Sequence, residues 1–218
     1  MSVNVFPAFA VPMAETRYPE SESLNASLMG LILALEAQGA GYRNPDPVVH
    51  QPDGLFESEF SFFAREEPCV RQLRSWVWSS LGEFLRNINP DLAEGTRGLK
   101  IASQTWFHVT RDGGYFGYHN HPMASWSGVY CVSDGEPVPE YSNNGCLVFP
   151  HPQIASNAFL DPSNARLHWP FSNGNFVLTL KPGQLVLFPS WLGHYVTPFR
   201  GQGQRTTVAF NAWFSRGA

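Results

Sequence analysis

Cysteine is scarce in this sequence, and the few thiols present argue against a disulfide-bonded fold. The 218 residues include three cysteines, Cys69, Cys131 and Cys146. Their number is odd, they lie far apart along the chain, and their surroundings are apolar. Domains stabilised by disulfides usually carry an even number of cysteines at regular spacings. We therefore expect free, buried thiols in a reducing compartment, and hence a cytoplasmic protein.

Charge and long apolar runs are also lacking. Charged residues make up 15% of the chain, the formal net charge is −4, and no run of Lys or Arg occurs. This composition predicts neither a nucleic-acid partner nor attraction to an anionic membrane. No apolar run is long enough to cross a bilayer. The N-terminus has no basic region followed by an apolar stretch, so we expect no secretory signal.

Hydrophobic residues, at 43%, are numerous enough for one well-buried core. We expect a single domain over residues 1–218, with a helical support region in 1–98 and a β-rich core in 99–218. Two apolar stripes at helical spacing lie in the support region, the second opening at Pro68. The stripes are Leu24, Leu28, Ile32 and Leu35, with Ser23 as N-cap, and Val70, Leu73, Val77, Leu81, Phe84 and Ile88.

From Leu99 onward the apolar pattern changes to a period of two residues, which is typical of strands. Short alternating runs are separated by Gly, Pro and Asn, as in an antiparallel sandwich or barrel. The runs are 99–110, 125–133, 146–149, 175–180, 184–188, 194–198 and 205–214. We predict a mainly β fold in which the two helices pack on one sheet.

Three of the seven histidines are placed where they can meet at one point. His119 and His121 are two residues apart, and such side chains lie on the same face of an extended strand. His194 comes much later, at the edge of another predicted strand. Three imidazoles can fill one face of an octahedron and leave the other positions open for small molecules. We therefore predict a metal site, with catalytic potential, formed by His119, His121 and His194.

Arg205 opens an alternating run that places Asn211 on the same face of its strand. Residues 198–204, between His194 and Arg205, have the composition of a turn, which predicts a hairpin with Arg205 across from His194. A guanidinium beside a metal suits an anionic co-substrate, because one carboxylate pairs with the arginine while the other end chelates the ion. Asn211 is a candidate co-substrate contact, although a polar residue at a strand end needs no such role.

The motifs of this region resemble those of a bacterial family of 2-oxoglutarate–Fe(II) oxygenases. The resemblance covers about residues 99–214. It rests on residues 106–110, Gly113-Gly114, His119-Asn120-His121-Pro122, residues 127–130, 147–149 and 182–192, and on His194, Arg205 and Asn211.

The resemblance implies a double-stranded β-helix, or jelly roll, and an oxidoreductase activity. In that family Fe(II) is held by two histidines and usually a carboxylate, and an arginine holds the C5 carboxylate of 2-oxoglutarate. The expected partners are O₂ and a small-molecule or peptide substrate, and a homodimer is a candidate assembly.

This sequence departs from the wider superfamily at two positions. Most members carry Asp or Glu where this chain has His121, so we expect a site of three histidines. Related hydroxylases often place a tyrosine that contacts the oxoacid where this chain has Thr110, which we keep as a candidate co-substrate contact. His108, two residues earlier, is interpreted as a structural histidine or a partner of a ligand.

Two other readings stay open from the sequence. One is a cupin-like dioxygenase that uses three histidines and chelates its substrate directly, without an oxoacid. The other is a jelly roll that binds a metal or ligand without turnover. Arg205 argues against the first reading, because such an enzyme has no need of an arginine at this spacing. Open metal positions argue against the second reading, because a protein without turnover has no need of them.

Overall fold

A computed structural model describes residues 2–92, 94, 98–153 and 159–216 of the chain. Within these ranges the helices are α1 (Ser21–Glu36) and α2 (Pro68–Ile88), with short 3₁₀ turns at Gly39–Gly41, Phe62–Ala64 and Pro90–Leu92. The strands are β1 (Ala14–Arg17), β2 (Leu55–Glu57), β3 (Leu99–Thr110), β4 (Phe116–His119), β5 (Trp126–Pro137), β6 (Leu147–Phe149), β7 (Phe176–Leu178), β8 (Gln184–Pro189), β9 (His194–Val196) and β10 (Gly201–Arg216).

The strands form two antiparallel sheets. The larger sheet has the order β1-β8-β5-β10-β3-β2, and the smaller has the order β4-β9-β6-β7. β10 is central, because it pairs with β3 along one side and with β5 along the other. The mainly β architecture predicted from the period-two pattern is confirmed, and the two sheets face each other as in a jelly roll.

The alternation along the strands of the larger sheet separates two hydrophobic cores. On β8, Leu185 and Leu187 pack on the helix side of the sheet, whereas Val186 and Phe188 pack between the two sheets. The same alternation makes Val208 and Phe210 of β10 face the helices. Because neighbouring side chains on a strand point to opposite faces, the opposite face of β10 is free to line an interior site.

Both helices pack against the larger sheet, as predicted. Their buried stripes share one core with Phe107, Tyr130 and Phe210 of that sheet. α2 begins at Pro68, where a missing N–H is harmless. α1 begins at Ser21 rather than after Ser23, so the predicted N-cap is wrong, and Glu20 takes the N-cap position in the left-handed conformation without a side-chain cap. The predicted stripe of α2 is buried except for Ile88, which is exposed at the helix end while Leu85 is buried instead.

The two helices are amphipathic supports for the sheet. In the described ranges, neither combines the length and the apolar character that crossing a membrane requires.

Candidate metal site

The three predicted histidines meet at one end of the smaller sheet. β4 ends at His119, β9 begins at His194, and these two residues are direct partners across the β4–β9 pair. His121 lies just beyond β4, where its backbone N–H donates to the carbonyl of Ser190 at 2.8 Å. One ligand atom from each histidine lies within 4.8 Å of the other two. The three imidazoles can therefore converge on a single ion.

Two of the three rings are oriented by backbone carbonyls. The Nδ1 atom of His119 lies 2.8 Å from the carbonyl oxygen of Gly117, and that of His194 lies 2.9 Å from the carbonyl oxygen of Leu192. A carbonyl oxygen can only accept, so Nδ1 carries the hydrogen in both rings. This tautomer leaves the Nε2 lone pair of each ring free to bind a metal.

Burial keeps the three imidazoles neutral. It lowers the pKa of His119, and it lowers the pKa of His121 and of His194 to about 3. A group whose pKa lies below the ambient pH is deprotonated, and only a neutral imidazole can coordinate. The site therefore presents three neutral nitrogen donors at physiological pH.

No carboxylate joins the histidines in the part of the chain that the structure describes. The two aspartates nearest the motif in sequence form ion pairs with other residues. Asp112 pairs with Arg200, and Asp134 pairs with Lys181. The donor set available for a metal is therefore the three histidines, in agreement with the His-x-His spacing. That they bind iron stays a prediction.

Arg205 lies inside the protein and lines the same cavity as the three histidines. Arg205 is only 5% exposed. The Nη2 atom of its guanidinium has no hydrogen-bond partner within the described ranges. Burial lowers the pKa of this guanidinium from its ordinary value, but an arginine stays protonated in proteins. An unpaired buried cation of this kind fits the carboxylate of a ligand.

The path from His194 to Arg205 differs from the predicted hairpin. β9 lies in the smaller sheet with β4 and β6, whereas β10 lies in the larger sheet with β3 and β5. The connecting segment crosses between the sheets and buries Phe199 completely. His194 and Arg205 therefore face each other across the cavity instead of pairing edge to edge. The prediction of a hairpin was wrong because turn composition does not specify which sheet the next strand joins.

The two other predicted co-substrate contacts have protein neighbours. Asn211 accepts a hydrogen bond from the hydroxyl of Ser127 at 2.7 Å, and Ser127 is also bonded to Ser190 at 2.8 Å. Thr110 is buried and is the strand partner of Arg205 across the β3–β10 pair. Neither residue lines the cavity that the histidines share with Arg205. Their contact with a co-substrate stays a prediction.

Two features of the cavity wall were not found from the sequence. The indole N–H of Trp106 is buried beside His121 and has no partner within the described ranges. The imidazole of His108 is bonded to the carboxylate of Glu57 at 2.8 Å. The buried acid could have been suspected from its place in the short apolar run Leu55-Phe56-Glu57. Its partner could not, because the two residues are far apart in sequence.

A larger cavity of about 460 Å³ lies beside the metal site. Its walls come from the N-terminal segment 6–11 and from residues 167–176, and include Phe149 and Leu192. The Phe149 ring is also 5.6 Å from the His194 ring, centre to centre. Phe149 therefore lines the larger cavity and also packs near a predicted metal ligand.

A protein-family model matches the part of the chain that contains the site. Residues 104–211 match the model of a family described as "Putative 2OG-Fe(II) oxygenase". The matched segment contains the three histidines, Arg205 and Asn211. None of the curated proteins matches the chain.

Solved structures of the same fold cover nearly the whole chain. A prolyl-4-hydroxylase from Pseudomonas putida is 14% identical, with a TM-score of 0.59, covering 95% of this chain and 94% of its own. HygX from Streptomyces hygroscopicus, solved with nickel, 2-oxoglutarate and hygromycin B, is 11% identical, with a TM-score of 0.56 and coverage of 93% and 82%. A prolyl hydroxylase from Trichoplax adhaerens, in complex with a hypoxia inducible factor peptide fragment, is 11% identical, with a TM-score of 0.58 and coverage of 93% and 83%. The jelly-roll fold is confirmed by these similarities.

Proposed function

Because residues 104–211 of this chain belong to the 2OG-Fe(II) oxygenase family, we propose that His119, His121 and His194 bind Fe(II), that Arg205 binds 2-oxoglutarate, and that the enzyme hydroxylates a C–H bond. Fe(II) and 2-oxoglutarate are the cofactor and co-substrate of the family. The assignment of individual residues to them is supported by the geometry of the cavity.

The residues that line the cavity fit both Fe(II) and 2-oxoglutarate. Three neutral imidazoles converge within 4.8 Å of one another, as a divalent metal requires. Arg205 offers a buried donor without a partner, as a carboxylate requires. When bound, Fe(II) supplies the chemistry in which O₂ converts 2-oxoglutarate to succinate and CO₂ and places one oxygen atom in a substrate C–H bond.

The protein's own contribution is to fix positions and to exclude water. The carbonyls of Gly117 and Leu192 hold two imidazoles with Nε2 available. Arg205 fixes the far end of the co-substrate by a charge-assisted hydrogen bond. Phe188 and Val196 form apolar walls between the two ends of the cavity. In such walls a charge pair is stronger than in water, because the local dielectric constant is low.

The buried, unpaired Arg205 is the observation that carries the proposal. A cupin-like dioxygenase that chelates its substrate with the metal alone has no use for it. Leaving a cation buried without a partner costs stability, so its retention favours an anionic ligand at that place.

We propose that the primary substrate is a small molecule or a peptide. HygX was solved with the small molecule hygromycin B, and the Trichoplax adhaerens enzyme with a peptide fragment. The apolar cavity beside the metal site is the place where we propose that such a substrate binds. Cytoplasmic location and a homodimeric assembly remain predictions.

Titration under nitrogen tests the proposal. The metal-free protein is first loaded with Fe(II), and 2-oxoglutarate is then added. We expect the visible charge-transfer absorption of an iron-bound 2-oxoacid, with succinate as a control that lacks the keto group and gives no band. If Fe(II) binds but saturating 2-oxoglutarate gives no band, the cupin-like reading takes its place.

A further inference from the structure

Glu57 is a carboxylate buried beside the metal site. It lies on β2, is 4% exposed, and is bonded to the side chains of three other residues. Its Oε1 atom accepts from Asn44 Nδ2 at 2.6 Å and from Gln51 Nε2 at 2.9 Å, and its Oε2 atom lies 2.8 Å from His108 Nε2. Within the described ranges, no lysine or arginine pairs with it. The negative charge of Glu57 is therefore not cancelled by a permanent cation.

Glu57 is ionised at neutral pH. Burial by itself would raise its pKa, but the hydrogen bond and the charge interaction with His108, the hydrogen bond from Asn44 and a charge interaction with His119 together leave the pKa below its ordinary value. An ionised carboxylate can only accept hydrogen bonds, so His108 donates through Nε2. The ring of a neutral His108 then keeps its hydrogen on Nε2.

A single layer of aromatic rings separates this pair from the metal ligands. Glu57 and His108 are direct strand partners, and His108 lines the cavity. The ring of Phe116 is 4.8 Å from that of His108 and 4.7 Å from that of His119. Trp106 lies in the same way between His108 and His121.

We propose that Glu57 supplies the negative charge that this three-histidine site lacks among its ligands. It acts through space and through the orientation of His108, without touching the ion. A buried charge is weakly screened, so it changes the affinity of the site for a cation from several ångströms away. The inference rests on the proposed function, because it requires a divalent metal at the histidines.

A charge effect has a signature that a structural effect lacks. Removing the charge with Glu57→Gln makes the cavity one charge more positive. The affinity for Fe(II) then falls, by about ten-fold on the scale of other residues that support metal ligands. The affinity of the metal-loaded protein for the dianion 2-oxoglutarate rises by several-fold. Simple disorder of the site would weaken both.

The experiment compares the wild type with Glu57→Gln and two further variants. Glu59→Gln removes the same charge two residues away, where the side chain is half-buried and caps the backbone N–H of Ser61. Glu57→Asp keeps the charge but disturbs the hydrogen bonds, and we expect it to retain Fe(II) affinity to within about three-fold, as a preserved charge requires. Fe(II) is titrated under nitrogen into metal-free protein, at about pH 8 where neutral imidazoles predominate. 2-Oxoglutarate is then titrated at saturating Fe(II).

Opposite changes in the two affinities for Glu57→Gln, with none for Glu59→Gln, support the inference. Unchanged affinities, or a loss of both, overturn it. A loss of Fe(II) binding as complete as in His194→Ala would make Glu57 a ligand and also overturn it. If Glu57→Gln does not fold, Glu57→Asp decides: a loss of Fe(II) affinity well beyond about three-fold overturns the inference, because the carboxylate charge is still present in that variant. A wild type that binds no Fe(II) would instead remove the proposed function.

Discussion

At the scale of single residues, Arg205 is a buried cation in the cavity that it shares with the three histidines. Its strand neighbours Thr110 and Asp134 are its partners in the β-ladder, but its Nη2 atom has no acceptor in the described part of the chain. Buried charges in proteins are normally paired. The missing partner is therefore expected to be a carboxylate that arrives with the co-substrate.

Replacing Arg205 by Ala should reduce 2-oxoglutarate affinity and leave iron binding intact. Truncating one member of a desolvated charge pair costs roughly 2–5 kcal/mol. This corresponds to about thirty-fold to several thousand-fold in affinity. Arg205→Lys should also weaken binding, because an ammonium cannot reproduce the bidentate contact. Anaerobic titration of 2-oxoglutarate into the iron-loaded proteins measures both.

Arg200→Ala is the matched control for Arg205→Ala. Arg200 lies five residues earlier, is exposed, and pairs with Asp112 on the surface. Exposed pairs contribute little, so we expect wild-type affinity for both ligands. Equal 2-oxoglutarate affinity in wild type and Arg205→Ala would contradict the assignment of Arg205.

Cys131 should be unreactive in the folded protein. Burial raises the pKa of its thiol to about 12, whereas an unfolded cysteine has a pKa of about 8.5. The reactive thiolate is therefore nearly absent at pH values near 8 in the folded state and common in the unfolded state. Iodoacetamide at about pH 8, followed by peptide mass spectrometry, should label Cys131 only after denaturation in guanidinium. Labelling at the same rate in native protein would show that the thiol is accessible.

At the scale of elements, α2 stabilises the larger sheet through its buried stripe. Leu73 and Val77 are completely buried in the core that the helices share with Phe107 and Phe210. The sheet supplies one face of the cavity, including Arg205. Loosening the helix is therefore expected to lower global stability before it changes the chemistry of the site.

Leu73→Ala should lower the free energy of unfolding by about 2–5 kcal/mol, because it leaves a cavity in a packed core. Urea denaturation followed by circular dichroism measures the loss. Glu83→Ala, on the exposed side of the same helix, should change stability by no more than about 0.5 kcal/mol. A loss below about 1 kcal/mol for Leu73→Ala would mean that the helix is not an integral part of the core.

At the scale of the whole molecule, the site bridges the two sheets. The histidines belong to the end of the smaller sheet, whereas Arg205, Trp106 and His108 belong to the larger sheet. A metal and a co-substrate bound between them would connect both halves of the fold. Ligands that bind only the folded state stabilise it by mass action.

The melting temperature should therefore rise with ligand. At a concentration one hundred times Kd the gain is about 2.7 kcal/mol. For a chain of this size we expect an increase of roughly 5–10 °C. Ni(II), which imidazoles also bind, together with 2-oxoglutarate is a suitable probe in air. His194→Ala should abolish the shift, and a shift of equal size in that variant would place the binding elsewhere.

Much of this protein is determined by local pattern in its sequence. The period-two runs predict the strands of the jelly roll, and the two apolar stripes predict the helices, because side-chain direction repeats every 2 residues in a strand and every 3.6 in a helix. The spacing of His119 and His121 brings two ligands together for the same local reason. The alternation of side chains along β10 likewise predicts the face of the strand on which Arg205 lies.

Only the tertiary structure decided which distant groups share the cavity. The sequence predicted a hairpin after His194, but the chain crosses to the other sheet, and Arg205 faces the histidines from the opposite wall. Glu57 and His108 are 51 residues apart and meet because β2 adds to the edge of β3. Strand pairing between remote segments depends on how whole sheets bury their apolar faces. That choice is made by the total free energy of packing, which no short stretch of sequence contains.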